Sequence, residues 1–319
     1  MQVLLTGSSG FIGQRLQTAL LAHPPWGEQL TQLRTLSRNP LPLPNPEARL
    51  DPRQGDLTRL GDSDGLQLAE SLCQGVETLF HLAAYTHDTD GNHPDLAARY
   101  QQLNVTATAR LGDAAVAAGV KRFIFVSSVK AGGSAPDGIC LDEKSQRPPD
   151  GLYGKTKREA EEYLLHLASR SNMEVVIIRP ALVYGTGMKG NLRLLFTAIQ
   201  RGLMPPLPET GNRRSMIALD DLVNLLLLGA SHPAAANQIY NATDGIAYSS
   251  RTIYLSMCHA AGRSPYPGLP VTLFAVAAGC GELLKKWLPV PFDHHRYHKL
   301  LGNDCFSSEK AERQLGFKA

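Results

Sequence analysis

The sequence predicts a doubly wound parallel α/β sheet followed by a smaller C-terminal α/β lobe that binds substrate. Three observations predict it. Short β-branched or apolar runs alternate with helix-length segments whose apolar positions recur at spacings of three and four. The first run passes straight into glycines three residues apart. After about Tyr184 the alternation gives way to short segments broken by prolines from Pro205 to Pro291.

The runs Val3 to Thr6, Leu33 to Ser37, Thr78 to Leu82, Arg122 to Ser127 and Val175 to Ile178 are short β-branched or apolar stretches bounded by turn residues, and they read as buried parallel strands. Phe11 to Leu21, Leu66 to Cys73, Leu96 to Ala118 and Thr156 to Ala168 read as the crossover helices between them. A further strand is expected before Gly55, and Pro40 to Pro46 reads as a surface loop. The expected division is a first domain over 1–183 and a second lobe over 184–319. Ser215 to Ala230 looks like a strand and an apolar helix, so a segment near 215–240 is expected to return to the first domain.

With 319 residues, 43% hydrophobic and 19% charged, the chain can bury a large core, which excludes a disordered or collagen-like polymer. The excess of 32 Lys plus Arg over 29 Asp plus Glu is scattered, so neither nucleic acid nor a membrane is the expected partner. No basic leader precedes the first apolar run, and no apolar stretch reaches the roughly 20 residues of a membrane helix, so a signal peptide is not expected. Cys73, Cys140, Cys258, Cys280 and Cys305 are widely spaced, which argues against a zinc ribbon or a disulfide framework and for a reducing, cytoplasmic setting. His87, Asp88, Asp90, His93 and Asp95 crowd one segment, but their spacing matches no metal-ligand pattern and no metal is expected.

In Gly7-Ser8-Ser9-Gly10-Phe11-Ile12-Gly13, Gly7 permits a tight turn, Gly10 lets the backbone approach a pyrophosphate and Gly13 lets the helix lie close on the strand. This is a dinucleotide site of Rossmann type. After the second strand, Leu36-Ser37-Arg38 offers no carboxylate for ribose hydroxyls, whereas the forked donors of Arg38 suit a 2′-phosphate, so NADP is expected, with NAD as the alternative. Asp56, beside Leu57, is a candidate acceptor for the adenine amino group.

Tyr153 and Lys157 stand four apart on one helix face. An ammonium at roughly 6 Å and an effective dielectric near 20 contributes about 3 kcal/mol, close to two pKa units, toward ionising a tyrosine. Ser128 follows the strand Phe123 to Ser127, at the carboxyl end where such folds bind ligands, 25 positions before Tyr153. The ordered set of glycine turn, strand-end serine and Tyr-x-x-x-Lys is far more specific than any one of them.

With these residues the sequence resembles the extended short-chain dehydrogenase/reductase family, in its nucleotide-sugar epimerase, dehydratase and reductase branch. Thr6 to Gly13 match T-G-x-x-G-x-x-G, His81-Leu82-Ala83-Ala84 match H-x-A-A, Asn104-Val105 match the N-V of the long helix, and Arg179-Pro180 through Tyr184-Gly185 match R-P-x-x-V-Y-G. The resemblance implies Ser128, Tyr153 and Lys157 as the catalytic triad, with Tyr153 as acid/base, Ser128 on the same substrate oxygen and Lys157 on the nicotinamide ribose. It implies cofactor contacts at Gly7, Ser9, Gly10, Phe11, Ile12, Gly13, Arg38, Asp56, Leu57, Leu82, Ala83, Ala84, Val126, Tyr153, Lys157, Pro180, Leu182 and Val183. Gly190-Asn191-Leu192 and Arg214-Ser215-Met216-Ile217 with Asp221 resemble the segments that contact a UDP-sugar diphosphate. Substrate contacts are therefore expected at Ser128, Lys130, Asn191, Leu192 and Arg214, while Arg296 and Lys299 both fall near a further phosphate-binding arginine.

The branch's dehydratases carry an Asp-Glu pair after the catalytic hydroxyl residue, where this chain has Val129 and Lys130, so dehydration is not expected. The resemblance leaves a 4-keto-reductase or 4-epimerase of a UDP-hexose or N-acetylhexosamine, serving surface polysaccharide synthesis. Arg38 tilts the expectation toward the NADPH-consuming reductase. The helices 96–118 and 156–168 are expected to form a homodimer interface. The competing readings are a reductase of a small apolar ketone, which gives Arg214 nothing to bind, and a non-catalytic dinucleotide-binding protein, which has no need of Tyr153 and Lys157.

Overall fold

The structure, a computed structural model, describes residues 1–22, 26–39, 49–86, 95–136, 138–145, 147–285 and 292–319. The expected loop at 40–46 and the residues His87, Asp88, Asp90 and His93 lie outside them.

The chain opens with β1 (Gln2–Thr6), α1 (Phe11–Ala22), α2 (Trp26–Gln29), β2 (Gln32–Ser37), β3 (Leu50–Gln54), α3 (Ser63–Cys73), β4 (Thr78–His81), α4 (Leu96–Tyr100) and α5 (Ala107–Ala117). It continues with β5 (Arg122–Val126), α6 (Gly151–Ala168), β6 (Glu174–Pro180), β7 (Leu182–Tyr184), α7 (Gly190–Gln200), β8 (Arg214–Ala218), α8 (Leu219–Ser231) and β9 (Gln238–Ala242). The last elements are β10 (Ala247–Tyr248), α9 (Ser250–Ala260), α10 (Val271–Leu284), α11 (His294–Leu301) and α12 (Glu309–Leu315).

Seven strands form one parallel sheet in the order β3-β2-β1-β4-β5-β6-β9. The order reverses between β1 and β4, so the carboxyl ends of these two strands open a crevice, the place where such sheets take ligands. The doubly wound α/β expectation is met. Successive residues of each strand enter opposite cores. Val3, Leu5, Ile124 and Ile178 pack with Leu16, Leu20, Leu222 and Leu226 on the side of α1 and α8. Leu4, Phe123 and Ile177 pack with Leu72, Leu111 and Leu164 on the side of α3, α5 and α6. Burial on both faces explains the apolar runs in the sequence.

α8 thus packs on the large sheet and β9 joins it beside β6. β7, β8 and β10 form a separate three-stranded sheet, and α7, α9, α10 and α11 enclose a third core around Leu192, Ile199, Tyr254 and Phe274.

The helix expected over 96–118 is present, with a π-helical turn over Gln101–Thr106 between α4 and α5. The wider turn brings Asn104 inward, where its Oδ1 accepts from the Tyr85 amide (2.8 Å) and its Nδ2 donates to the Tyr85 carbonyl (3.1 Å) and to Thr156 Oγ1 (3.2 Å). One side chain therefore ties the exit of β4 to the helix that carries Tyr153 and Lys157.

Candidate active site

Gly7 has φ of +76°, and a Cβ on it would lie 2.7 Å from the Ala83 amide nitrogen. A Cβ on Gly13 would lie 2.1 Å from the Gly7 carbonyl oxygen. Only glycine lets α1 start this close to β1 and β4. The turn is closed by the Gly10 amide donating to the Gly7 carbonyl at 2.9 Å. The atoms that a Cβ on Gly7, Gly10 or Gly13 would meet are all backbone, and a glycine turn of this kind at a helix start fits a pyrophosphate. Ser9 is exposed, and Phe11, Ile12, Leu82, Ala83, Ala84, Leu182 and Val183 are half-buried, while Val126 and Pro180 are buried at the ends of β5 and β6. All lie at the carboxyl end of the large sheet, and the arrangement fits a dinucleotide.

The adenosine side is less uniform. Arg38 is exposed just past β2, with its carbonyl accepting from Gln54 Nε2 (3.1 Å). Asp56 spends Oδ1 capping a short turn, accepting from the Thr58 amide (2.9 Å) and hydroxyl (2.8 Å), which leaves Oδ2 for an adenine amino group. Leu57 places its side chain in the core beside α3 and α5, so a cofactor contact there falls to its backbone.

At the centre, Ser128 lies two residues past the end of β5 and its hydroxyl accepts from the Lys130 amide (3.3 Å). The Ser128 side chain lies close enough to act on the Tyr153 phenol. The rings of Tyr85, Tyr100 and Tyr153 form a chain, with centroids 5.0 and 6.2 Å apart. Lys157 is buried with its ammonium 4.2 Å over the Phe125 ring. Burial pushes the ammonium down to about 7, against the pull of Glu161. Burial, and next the nearby Tyr100, pushes the Tyr153 phenol well above its ordinary value; only Ser128 acts the other way. The expectation that Lys157 draws Tyr153 toward ionisation is therefore corrected: among the protein's own groups desolvation dominates, because both side chains leave water.

Beneath this pair lies a second polar row. Thr108 Oγ1 donates to the Asn104 carbonyl (2.8 Å), so it accepts from His81 Nε2 (3.0 Å), and His81 Nδ1 accepts from Thr6 Oγ1 (2.6 Å). Burial, with Lys157 nearby, pushes His81 down to about 3 and keeps it neutral. Arg179 meets Glu161 with two hydrogen bonds, Nε to Oε1 (2.8 Å) and Nη2 to Oε2 (2.5 Å), fully inside the protein. Sequence reasoning missed Glu161. Its signal was its place four residues after Lys157, on the face that already carries Tyr153.

The substrate side brings corrections. Lys130 is ion-paired with Asp150 at the start of α6 rather than free for a ligand. Leu192 is 4% exposed in the core of the second lobe, so only its backbone can meet a substrate; Asn191 is exposed at the start of α7. Arg214 is largely buried, its Nη1 donating to the Lys299 carbonyl (2.5 Å) at the end of α11 and its Nη2 facing Asp304 (4.0 Å). Arg213 reaches the Gly138 carbonyl (3.3 Å). Arg296 and Lys299 sit exposed on α11. Asp304, ninety positions from Arg214, carried no signal in the sequence.

Cys140 and Cys305 form a disulfide, with Cα atoms 4.5 Å apart across 165 residues. This corrects the reading of the cysteines: Leu141 and Phe306 are paired by a β-bridge, which brings distant sequence together, and the ground for a reducing compartment falls with it. Among the described residues no group of His, Cys, Asp or Glu is placed to hold a metal, and no helix is long and apolar enough to cross a membrane.

The NAD dependent epimerase/dehydratase family matches residues 3–243. The chain is 34% identical over 245 residues to a UDP-glucose 4-epimerase of Vibrio cholerae, covering 76% of this chain and 70% of that protein. It is 28% identical over 350 aligned positions to a 3-beta-hydroxysteroid dehydrogenase of Mycolicibacterium neoaurum, covering 99% and 87%. The solved structure of MoeE5 in complex with UDP-glucose and NAD superposes with a TM-score of 0.74 at 26% identity, covering 100% of this chain and 93% of that one. Glycine turn, strand order and sequence agree, and the chain belongs to the NAD dependent epimerase/dehydratase family.

Proposed function

We propose that the chain is an NAD(P)-dependent oxidoreductase acting at C4 of a UDP-sugar, working as a 4-keto-reductase with NADPH. The observation that carries the reading is the placing of Tyr153 and Lys157 one turn apart on α6, with Ser128 near the phenol just past the end of β5. Gly7, Gly10 and Gly13 would hold the pyrophosphate, Arg38 the 2′-phosphate and Lys157 the nicotinamide ribose. The bound nicotinamide supplies the hydride. Tyr153 donates its proton to the C4 ketone oxygen as that oxygen gains charge, and Ser128 holds the same oxygen by a hydrogen bond. Arg214, backed by Asp304, would face the diphosphate, with Asn191 at the start of α7 beside it. We place the reaction in surface polysaccharide synthesis, in a homodimer built on α4, α5 and α6.

A second reading, 4-epimerisation with retained NAD, is supported by the Vibrio cholerae relative. The steroid dehydrogenase relative supports a third, reduction of an apolar ketone, but Arg214 has no role in it.

The test releases and identifies the nucleotide carried by the purified protein, then titrates NADPH and NADH and assays UDP-4-keto sugars, UDP-hexoses and steroid ketones. NADPH preference with turnover of the keto sugar supports the proposal. Tightly held NAD with interconversion of UDP-hexoses overturns the reductase for the epimerase, and turnover of steroids alone overturns both. Tyr153→Phe is expected to lose at least about a thousandfold in turnover while keeping cofactor affinity, since proton transfer and oxygen stabilisation fail together. Retained turnover in that variant overturns the role given to Tyr153.

A further inference from the structure

We propose that Tyr100 is a positioning residue of the site: its ring, backed by that of Tyr85, holds the Tyr153 phenol at the point where it meets the substrate oxygen. The inference rests on the role proposed above for Tyr153.

Tyr153 is the third residue of α6. Side chains of an α-helix lean toward its N-terminus and rest on the residues three and four places earlier. For Tyr153 those are Asp150 and Pro149, which precede the helix, and the Asp150 carboxylate is taken by Lys130. The ring therefore overhangs the helix start with no turn of α6 beneath it. Support has to come from another element, and α4 supplies it. Tyr100, the last residue of α4, lies with its ring centroid 6.2 Å from that of Tyr153 and the two planes 55° apart.

Tyr100 is itself fixed from behind. The Tyr85 ring meets it edge-on, at 5.0 Å and 86°, and Asn104 holds both the amide and the carbonyl of Tyr85. Asn104 belongs to the π turn that begins directly after Tyr100, and such turns are frequent at functional sites. Asn104 also donates to Thr156, three residues after Tyr153, so the row of rings and the helix share one anchor. At 6% exposure Tyr100 is closed to a ligand, so it acts through Tyr153. After burial it is also the strongest influence on the Tyr153 phenol, which agrees with the closeness of the two rings. The phenol oxygen stands at the far end of its ring, where a small rotation is multiplied, and a misplacement of about 1 Å costs up to about a hundredfold in rate.

Tyr100→Phe and Tyr100→Leu, made in the full chain, test the proposal with the sugar that the wild type turns over. Phenylalanine keeps the ring and is expected to hold kcat within about twofold, whereas leucine is expected to lower kcat at least about tenfold with KM and cofactor affinity unchanged. In a Tyr153→Phe background, Tyr100→Leu is expected to cost no further residual turnover, because no hydroxyl remains to be placed. Unchanged kcat in Tyr100→Leu overturns the proposal. So does an equal loss in Tyr100→Phe, which assigns the effect to the hydroxyl, or a loss carried by KM or cofactor affinity. A full additional loss in the Tyr153→Phe background overturns it too, as the mark of a merely structural role. If Tyr100→Leu does not fold, as judged by circular dichroism, Tyr85→Leu is read in its place, since it removes the backing and leaves Tyr100 intact. Retained turnover in Tyr153→Phe alone is a separate result, which overturns the role of Tyr153 and this inference with it.

Discussion

Glu161→Gln tests whether the ion pair beneath the site holds it together. Both partners are buried, Arg179 at 3% and Glu161 at 1% side-chain exposure, and they meet through two hydrogen bonds. Removing one partner of such a pair costs about 3–5 kcal/mol, because the remaining charge stays out of water without its counter-charge. Glutamine keeps the shape and one acceptor, so the lower figure applies, about 3 kcal/mol. With about 2.1 cal/mol/K of unfolding entropy per residue, 319 residues carry about 0.7 kcal/mol/K, and the loss lowers Tm by about 4–5 °C. Glu161 is also the charge that pulls the Lys157 ammonium up against burial. Its loss therefore lowers the Lys157 pKa further, and the alkaline limb of the rate profile moves to lower pH. Thermal unfolding followed by circular dichroism, with a pH series of turnover, reads both effects. A Tm within a degree of wild type with an unmoved limb refutes the reasoning. So does a Glu161→Leu, Arg179→Met pair that is no more stable than Glu161→Gln, since removing both charges leaves none stranded.

Lys157→Met abolishes turnover yet is expected to stabilise the fold at neutral pH. Burial lowers the folded pKa to about 7 from 10.5, so the cost of the buried ammonium is full below pH 7 and disappears above the unfolded value. The variant's advantage in denaturant midpoint should then shrink by about 1.4 kcal/mol per pH unit between those values, and a constant difference would sink the argument. Gly13→Ala places a Cβ 2.1 Å from the Gly7 carbonyl oxygen, so a loss of about 3 kcal/mol in stability and weakened dinucleotide binding in a titration are expected. Gly279→Ala, with nothing within 4 Å, should instead gain about 0.5–1 kcal/mol as an ordinary helical position. Cys140→Ser opens a loop closed across 165 residues and is expected to cost about 2–5 kcal/mol, matched by wild type in reductant; equal stability of the two oxidised proteins would remove the disulfide from the fold.

The large sheet was legible because each strand carries its evidence within itself. Val3 to Thr6 or Val175 to Ile178 must be apolar on both faces, and a run of four residues displays that without knowledge of its neighbours. The same holds for the glycine turn and for Tyr153 with Lys157, whose spacing is fixed by one turn and one helix. What was not legible depends on chain closure. Asp304 meets Arg214 because β8 is bridged to the segment before α12, and Cys305 meets Cys140 because Leu141 is bridged to Phe306 of the same segment, and no local pattern encodes either bridge. Leu192 was misjudged for a related reason: a position beside an exposed asparagine reads as part of a binding segment until the inward side of α7 is known. The π turn at Gln101–Thr106 was missed because it changes the phase of a helix without requiring glycine or proline.

The buried groups also bear on the direction of proton transfer. Desolvation acts on Tyr153 and Lys157 in opposite senses, raising one pKa and lowering the other, and so favours the neutral form of each. His81, neutral between Thr6 and Thr108, adds no charge to the row beneath, and the Glu161 charge is answered by Arg179. What the protein itself supplies at neutral pH is therefore a phenol that retains its proton until an oxygen gaining negative charge arrives to take it. A ketone being reduced provides such an oxygen, whereas a sugar hydroxyl being oxidised demands an already ionised phenol. Such a phenol suits the ketone reduction proposed above. The arrangement predicts that the alkaline fall in the rate of ketone reduction follows the Lys157 ammonium, with no separate fall from Tyr153 below about pH 10. A second fall below that pH would give the Tyr153 phenol a lower pKa than its burial implies and refute the argument.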